Sequence, residues 1–337
     1  AGSTYGGGMM ADVNVLDGVA TGPDSFAETV GGVWVPKNTS GLTFGANGFR
    51  LEFANKGTAT TSEGTTATQN IGDDSSGQGH NFAVTQIEAH DVLIDSPTNN
   101  FPTYNPLNKT GQTLTHNQGN LEVASSSTWS SSIYSRMTMA GHGGGTGKFY
   151  AEFCNHGSSG GGSTVIGIGN YESLAGGSDP TTSHNDAVIY YYDYITSNLT
   201  RVDIGGNYSS PPGISGNEVL RMAWDCSNGK VWIGGSQEWF DVGSGVGDPA
   251  NGNNPSGTIS SFSGAPIGVL HNRASNAGRC IINFGQNGTF NNTLAAGGYS
   301  DENGVGDFFL CAAVWFFGVV FGLVAGTKYF TKCKHTS

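Results

Sequence analysis

The sequence is short of charge and of helix-forming residues. Only 12% of its 337 residues are charged, whereas 55 are glycine. Glycine costs a helix interior about 1 kcal/mol relative to alanine, and the abundant Ser, Thr and Asn favour turns and caps. A helical bundle is therefore excluded. Core material is not scarce, because 36% of the chain is hydrophobic and 18 Phe, 12 Tyr and 6 Trp are present. We expect a folded, mostly β protein.

Basic residues are also few, since 14 Lys and Arg stand against 26 Asp and Glu for a net charge of −12. A chain without a basic surface cannot displace the counterions of a phosphate backbone, so nucleic acid is not expected as a partner. No C-x-x-C pair occurs among the five well-separated cysteines, Cys154, Cys226, Cys280, Cys311 and Cys333. This usage predicts free thiols, with no metal site and no cofactor.

Short segments of β-type alternation recur between clusters of Gly, Asn, Asp, Ser and Pro. FYAEF (149–153) and VIGIG (165–169) predict a hairpin across a glycine-rich loop. AVIYYYDYI (187–195) predicts a strand with one wet side. CIINFG (280–285) is the last strand of the set. Such strands, without intervening helical periods, predict an all-β fold, an antiparallel β-sandwich.

The segment 219–234 predicts a second hairpin, in which Asn228-Gly229 supplies the tight turn. In its first strand the alternation puts Arg221 on the face opposite to Trp224. Trp224 and Trp232 are assigned to packing, because their strand context needs large apolar side chains.

Three strand-like pieces, VNVLDGVA, GVWVP and GFRLEF, make up an additional N-terminal β region over residues 1–53. Residues 54–94 are rich in Gly, Ser and Thr at their start and are predicted as a surface excursion and linker. Three pieces are too few to close a sandwich, since isolated hairpins are marginal. We therefore expect this region to pack against another chain, the main domain or upstream sequence. Completion of its strands and of an exposed sheet edge by a neighbouring subunit predicts a homo-oligomer.

The patterns that resemble catalytic motifs fail on inspection. GKFY (147–150) lacks the glycine and hydroxyl positions of a phosphate loop, and the G-x-S-x-G at 157–161 is followed by a strand rather than a helix. Asp73, Asp74 and His80 offer possible cation ligands, but a solvated turn is the preferred interpretation. Glu238 and Asp241 are the nearest approach to an acid pair. No catalytic residue is predicted, and the protein is not expected to be an enzyme.

The segment DSPTNNFPTYNPLNK (95–109) resembles a known family. It is similar to the sequence that begins SPRY-like, concanavalin-type jelly-roll sandwich domains in structural proteins of tailed bacteriophages. The similarity continues through GKFYAEF (147–153), VIGIGN (165–170), AWDCSNGKVWIG (223–234) and INFGQNGTF (282–290). The resemblance implies a SPRY-like sandwich over residues 95–307 and a location on the virion, exposed on the extracellular particle.

The function that this resemblance implies is non-catalytic. We expect a tail-fibre or appendage subunit that contacts other virion proteins and binds host surface glycan; the alternative is a purely structural head-decoration, tail or filament subunit without a soluble ligand. Glycan sites place aromatic faces and polar groups at exposed turns. The candidate glycan-binding residues are Trp239, Asp241, Tyr208, His271, Asn272 and Arg273. Of the adjacent pair Trp239 and Phe240, one is expected to be buried and the other exposed.

The C-terminal tail, residues 308–337, departs from the family pattern. After GDFF the family reads YAPPSGFLALC, whereas this chain continues with LCAAVWFFGVVF. A permissible codon string for LCAAVWFFGVVF, read one nucleotide later, encodes YAPPSGFLALC. We therefore predict a frameshifted ending. The rival is a membrane anchor, because Phe308 to Gly326 is an apolar run of nineteen residues followed by lysines. The membrane is a partner only if this anchor is real.

Overall fold

The computed structural model describes residues 10–30, 33–87, 91–92, 101–104, 106, 109–110, 114–125, 134–138, 148–157, 163–170, 187–193, 198–201, 206–208, 219–236, 238–240, 246–259, 267–273, 278–290, 299, 308–310 and 317–318. The chain divides into two compact units. One is Gly8–Asn100, and the other is Phe101–Ser337 with Ala1–Gly7.

The Gly8–Asn100 unit is built from short strands and one turn of 3₁₀ helix, Pro23–Ser25. Its strands form two antiparallel pairs, β1 with β4 and β2 with β3. All three strand-like pieces predicted in this region contain a strand. The strands are β1 (Val13–Val15), β2 (Ala27–Val30), β3 (Val33–Pro36) and β4 (Phe49–Leu51).

The polar segment after β4 is bonded into the same unit. Bridges join Gly57 to Asn70 and Gly64 to Asn81. The Asp74 carboxylate accepts the backbone N–H of Arg50 at 2.9 Å, which fixes this segment to β4. Side-chain oxygens of Asp and Asn satisfy backbone donors here in place of sheet bonds, as such residues do in turns. The residues predicted as a surface excursion are therefore an ordered part of the N-terminal unit as far as residue 87.

The larger unit contains fifteen strands among its described residues and no helix in that part of the chain. They are β5 (Lys109–Thr110), β6 (Leu114–Asn117), β7 (Glu122–Ser125), β8 (Tyr134–Thr138), β9 (Lys148–Gly157), β10 (Ser163–Asn170), β11 (Ala187–Asp193), β12 (Asn198–Arg201), β13 (Gly206–Tyr208), β14 (Val219–Asp225), β15 (Lys230–Gly234), β16 (Gly257–Thr258), β17 (Ile267–Arg273), β18 (Gly278–Asn283) and β19 (Phe317–Gly318).

These strands form two large sheets. The first has the order β13-β12-β11-β10-β17-β8-β5, and the second has the order β16-β15-β14-β9-β18-β7-β6, with β19 added to β9. Every pairing along these two orders is antiparallel, and only β19 pairs in parallel. The predicted all-β antiparallel sandwich is thus confirmed by the sheets of the chain itself.

The second predicted hairpin is confirmed. β14 and β15 pair antiparallel from Arg221–Gly234 to Asp225–Lys230. Gly229 adopts a φ of +63° in the turn. A Cβ there would lie 2.3 Å from the carbonyl oxygen of Ile259. Glycine is therefore required at this position for both its backbone angle and its close contact.

The first predicted hairpin is wrong, although both of its strands exist. β9 pairs with β14 and β18, whereas β10 pairs with β11 and β17 in the other sheet. Consecutive strands of a sandwich can belong to different sheets. The glycine-rich sequence between β9 and β10 is compatible with a crossover as well as with a turn. The local pattern therefore could not decide which strands pair.

The central strands are buried on both faces. All seven residues of β14 are buried, and Val188, Ile189 and Tyr190 of β11 are fully inaccessible to solvent. The wet side predicted for 187–195 is therefore wrong at Ile189, because other parts of the unit cover both sides of the strand. Trp224 and Trp232 are both 0% exposed, which confirms their assignment to packing.

Candidate functional site

Four polar side chains lie together on one face of the second large sheet. Strand register places Arg221 of β14 and Asn283 of β18 opposite Glu152 of β9, with Tyr150 two residues away on the same strand. Residues i and i+2 share a face of a strand, and directly paired residues share it across strands. We call this surface the Glu152 face; Ala223 and Trp232 also belong to it by register.

The Glu152 carboxylate is fully buried and accepts four hydrogen bonds. The hydroxyl of Tyr150 and the backbone N–H of Leu310 donate to Oε1 at 2.9 and 2.7 Å. The side-chain amide of Asn283 and the backbone N–H of Phe309 donate to Oε2 at 3.0 and 2.9 Å. Both carboxylate oxygens are thereby saturated, which is how a protein tolerates a buried acid.

Burial raises the pKa of Glu152 from 4.5 to about 7, and its four donors offset only part of that effect. A raised carboxyl pKa is often found at a catalytic acid. Glu152 differs from such an acid in that it has 0% exposure and protein donors on every acceptor position. The arrangement supports a structural role, because no substrate atom can reach the carboxyl group without displacing the chain.

Arg221 lies on the same face under Trp239. Its guanidinium carbon is 4.3 Å from the centre of the Trp239 ring, a cation–π contact. Trp239 also meets the Tyr150 ring edge-on, with centroids 6.3 Å apart. Burial lowers the pKa of Arg221, and the nearby Tyr150 and Glu152 oppose that shift.

The prediction that one member of the Trp239–Phe240 pair is exposed is wrong. Trp239 and Phe240 are each only 5% exposed. The chain turns back on itself after β15, so that Trp239 bridges to Gly234 and Phe240 bridges to Val246. Neighbouring aromatic residues point to opposite sides of a strand, but here both sides are covered. Trp239 cannot serve as an open stacking platform for a sugar in this arrangement.

The other candidate glycan-binding residues are not brought together with Trp239 by any described contact. Asp241 lies outside the described residues. Tyr208 ends β13 and pairs with Leu199 at the edge of the first large sheet. His271, Asn272 and Arg273 were expected at a loop that follows a strand, which is wrong, because these residues complete β17. The backbones of His271 and Arg273 pair with β10, and His271 also pairs with β8.

In the acidic turn at 73–80 the carboxylates accept hydrogen bonds from N–H groups of the same unit. Asp74 accepts N–H groups from Arg50, Ser76 and His80, and Asp73 accepts from Thr68. Burial alone would raise the pKa of both carboxyl groups, but these donors lower it. Within the described ranges no group of three His, Cys, Asp or Glu is placed to hold a metal ion. The preferred interpretation as a turn is consistent with these bonds.

The first residues of the predicted C-terminal tail pack inside the larger unit. Phe308 is 2% exposed and joins the cluster of Tyr150, Ala223, Trp232 and Trp239. Phe309 and Leu310 pack against a neighbouring cluster. This leaves sixteen residues of the apolar run, 311–326, for the anchor alternative, whereas a bilayer span needs about 20. Among the described residues, no helix has the length and apolarity to cross a bilayer.

Sequence reasoning missed the Glu152 face. One signal was present, since Glu152 is a lone acid in the apolar strand KFYAEF and Arg221 is a lone base in VLRMAWD. Their pairing required the register of β9 with β14, which lie 69 residues apart by that Cα pairing. No local pattern could have supplied the covering residues Trp239 and Phe308–Leu310.

No protein-family model matches the chain, and no curated protein matches it. Among solved structures, the PSPRY domain of TRIM65 is 11% identical, with a TM-score of 0.35 over 54% of this chain and 88% of that one. The SPRY domain of human HERC1 is 14% identical, with a TM-score of 0.34 over 53% and 96%. Stonustoxin is 13% identical, with a TM-score of 0.35 over 61% and 33%.

Two of these three solved structures are SPRY domains. None of the three is a phage protein. The assignment to a phage virion therefore stays a prediction from the sequence resemblance.

Proposed function

We propose that the chain is a non-catalytic structural subunit of a phage virion and that its N-terminal unit binds a second copy of the chain. The virion assignment is supported by the resemblance of the sequence from 95 to 290 to phage structural proteins. The assembly role is supported by one observation, namely that Trp34 is 55% exposed on β3. Large exposed aromatic residues are common where protein surfaces meet.

β3, which carries Trp34, has one edge that pairs with no other described strand. β3 pairs only with β2 among the described strands, and the β1–β4 pair is also two-stranded. Two-stranded sheets are marginal in isolation, and their edges offer unpaired N–H and C=O groups. Val15, Val19 and Phe82 of the same unit are exposed at 40, 44 and 42%. A symmetric dimer would let one such edge pair with its counterpart on the second copy.

The proposal includes the absence of catalytic activity. The hydrogen bonding of the buried and turn carboxylates supports this part. Glu152 is sealed by four donors, and the Asp73 and Asp74 carboxylates are occupied by turn N–H groups. Hydrolysis of a polysaccharide needs two acids that flank an accessible bond. Neither of these arrangements leaves a carboxylate turned toward a ligand.

Glycan binding is the second candidate function, and one position favours it. β13 is the edge strand of the first large sheet and ends in Tyr208. Sheet edges and their adjoining loops are accessible to large ligands such as oligosaccharides. Tyr208 is therefore the candidate residue to test first, with Arg273 and His271 as secondary positions on β17.

Light scattering of the purified full chain, together with a glycan array, tests both candidates. The structural proposal expects a discrete oligomer at micromolar concentration and ordered rings or filaments in negative stain, with no glycan bound. A monodisperse monomer that binds a defined glycan would overturn it and favour the second candidate. Release of reducing ends from capsule or lipopolysaccharide would overturn the non-catalytic part of both.

A further inference from the structure

Residues Phe308–Leu310, which we call the strap, cover the Glu152 face with three consecutive apolar side chains. The Phe308 ring meets Tyr150 edge-on with centroids 5.2 Å apart. The Phe309 ring meets Phe290 at 6.4 Å. The strap thus fills two adjoining apolar clusters. The first contains Tyr150, Ala223, Trp232 and Trp239, and the second contains Cys154, Val219, Ile281 and Phe290.

The polar recognition of the strap is directed at its backbone. Glu152 accepts the N–H groups of Phe309 and Leu310, two consecutive residues, on its two oxygens. Hydrogen bonds from N–H groups to an ionised carboxylate are about twice as strong as neutral ones. Such bonds do not depend on which side chain the bonded residue carries, provided that it is not proline.

The carboxylate is held in place by groups outside the strap. Tyr150 and Asn283 each donate one bond to it. Asn283 is itself fixed, because its side-chain oxygen accepts the N–H groups of Gly285 and Asn287 at 2.8 and 2.9 Å. The Glu152 face therefore presents its acceptor oxygens in a fixed geometry, and a pre-organised site loses less entropy on binding.

Two further backbone contacts align the same chain segment. Tyr299 and Phe308 exchange N–H···O bonds at 3.2 and 2.7 Å. β19 then pairs in parallel with β9, with Phe317 opposite Phe149 and Gly318 opposite Tyr150. Phe308–Leu310 thus lie on the Glu152 face, and Phe317 and Gly318 pair with the first residues of β9.

We propose that the Glu152 face is a receptor site for an extended apolar peptide, with the chain's own strap as its resident ligand. Glu152 recognises the backbone of the ligand, and the two apolar clusters recognise its side chains. The site is complete without the strap's covalent connection, so it should keep the same segment after the connection is cut. This inference does not depend on the assignment to a virion.

Cleavage of the folded full chain tests the proposal. A protease recognition sequence placed after Gly304 leaves Tyr299 on the body and Phe308 on the released fragment. The proposal expects the fragment to stay with the body on gel filtration. A synthetic peptide of residues 305–320 should displace it when present in excess. Dissociation of the fragment from the cleaved wild-type protein would overturn the proposal.

The control variant separates this site from general burial of an acid. Glu152→Gln replaces an acceptor oxygen by an amide that faces two donors, so we expect rapid loss of the cleaved fragment. Glu122→Gln alters another buried carboxyl group of the same sheet, 4% exposed and bonded to Asn117. The cleaved Glu122→Gln protein should retain the fragment. Equal retention by both variants would contradict the role of Glu152.

A modified peptide tests backbone recognition without any protein variant, which matters if Glu152→Gln does not fold. Peptide 305–320 with N-methyl groups at Phe309 and Leu310 lacks both donors but keeps every side chain. At pH 8.5, where Glu152 is mostly ionised because its pKa is about 7, it should compete at least about 100-fold more weakly than the unmodified peptide, given two lost bonds to a charged acceptor. The same peptide methylated at Val305 should compete normally. Equal competition by the doubly methylated peptide would overturn the proposal.

Discussion

Arg221 and Trp239 pack as a cation–π pair, with the guanidinium carbon 4.3 Å from the ring centre, although 18 residues of sequence separate them. Both side chains are below 10% exposure, at 7 and 5%. Arg221 is the only basic residue of β14, and Trp239 covers the side of the strand on which Arg221 lies. The Arg221 guanidinium is thus enclosed between the Trp239 ring and the Glu152 face. This contact joins the segment after β15 to the centre of the sheet.

The first prediction concerns that pair. Trp239→Ala should lower the free energy of unfolding by roughly 3 to 5 kcal/mol, because it removes a large buried side chain and leaves a cavity. Urea denaturation measures the effect. Val246→Ala is the matched control, since Val246 is 54% exposed in the same unit and should change stability by no more than about 0.5 kcal/mol. An unchanged urea midpoint for Trp239→Ala would show that this side chain is not part of the core.

The second prediction concerns pH. The pKa of Glu152 is raised from 4.5 to about 7 by burial, so the folded state binds this proton more tightly than the unfolded state does. Stability from this group is therefore fully present below about pH 4.5, declines as pH rises to about 7, and is constant above that value. The loss is on the order of 3 kcal/mol.

Urea denaturation at a series of pH values tests this prediction. The difference in stability between wild type and Glu152→Gln should change over pH 4.5–7, which isolates the effect of Glu152 from that of other groups. The lowered pKa values of Asp73 and Asp74 act in the opposite direction and at more acidic pH. A wild-type stability that rises relative to Glu152→Gln between pH 5 and 7 would contradict the assignment.

The third prediction concerns assembly. Trp34→Ser should shift the full chain toward a lower mass in light scattering, because it removes the largest exposed aromatic side chain of the N-terminal unit. Val246→Ser is the control, as Val246 is 54% exposed in the other unit. The circular dichroism spectrum should stay unchanged in both variants. Identical masses for wild type and Trp34→Ser would place the contact elsewhere.

The fourth prediction concerns the frameshift hypothesis. Sequencing of the gene across the codons for Phe308 and Phe309 should show a length error or a slippage site. A clean sequence without either would remove the hypothesis. In the other frame, tyrosine takes the place of Leu310, and tyrosine also has a backbone N–H. The bond to Glu152 is therefore expected in either version of the chain, so the two endings should dock alike up to this residue.

Much of the fold could be predicted from local pattern. The turn at Asn228-Gly229 requires a positive φ, and the alternation on either side predicts the β14–β15 hairpin that the structure contains. The pairing of β9 could not be predicted in this way. Its neighbours β14 and β18 lie far away in sequence, and the glycine-rich sequence after Gly157 is compatible with a crossover as well as with a turn.

The candidate site shows the same division. Alternation placed Arg221 opposite Trp224, which is confirmed, but it also predicted an exposed member of the Trp239–Phe240 pair, which is wrong. Alternation states which side of a strand a residue occupies. It carries no information on what covers that side, and here both sides are covered by segments distant in sequence.

The sequence by itself determined the class of the protein, because glycine abundance and scarce charge exclude helices and period-two alternation requires a sheet. It also determined where large side chains such as Trp224 and Trp232 must be buried. Only the tertiary structure decided that Glu152 is a buried acid saturated by four donors. Its partners come from β9, β18 and the strap, and burial free energy depends on neighbours brought together by long-range pairing rather than on the chemistry of any one segment.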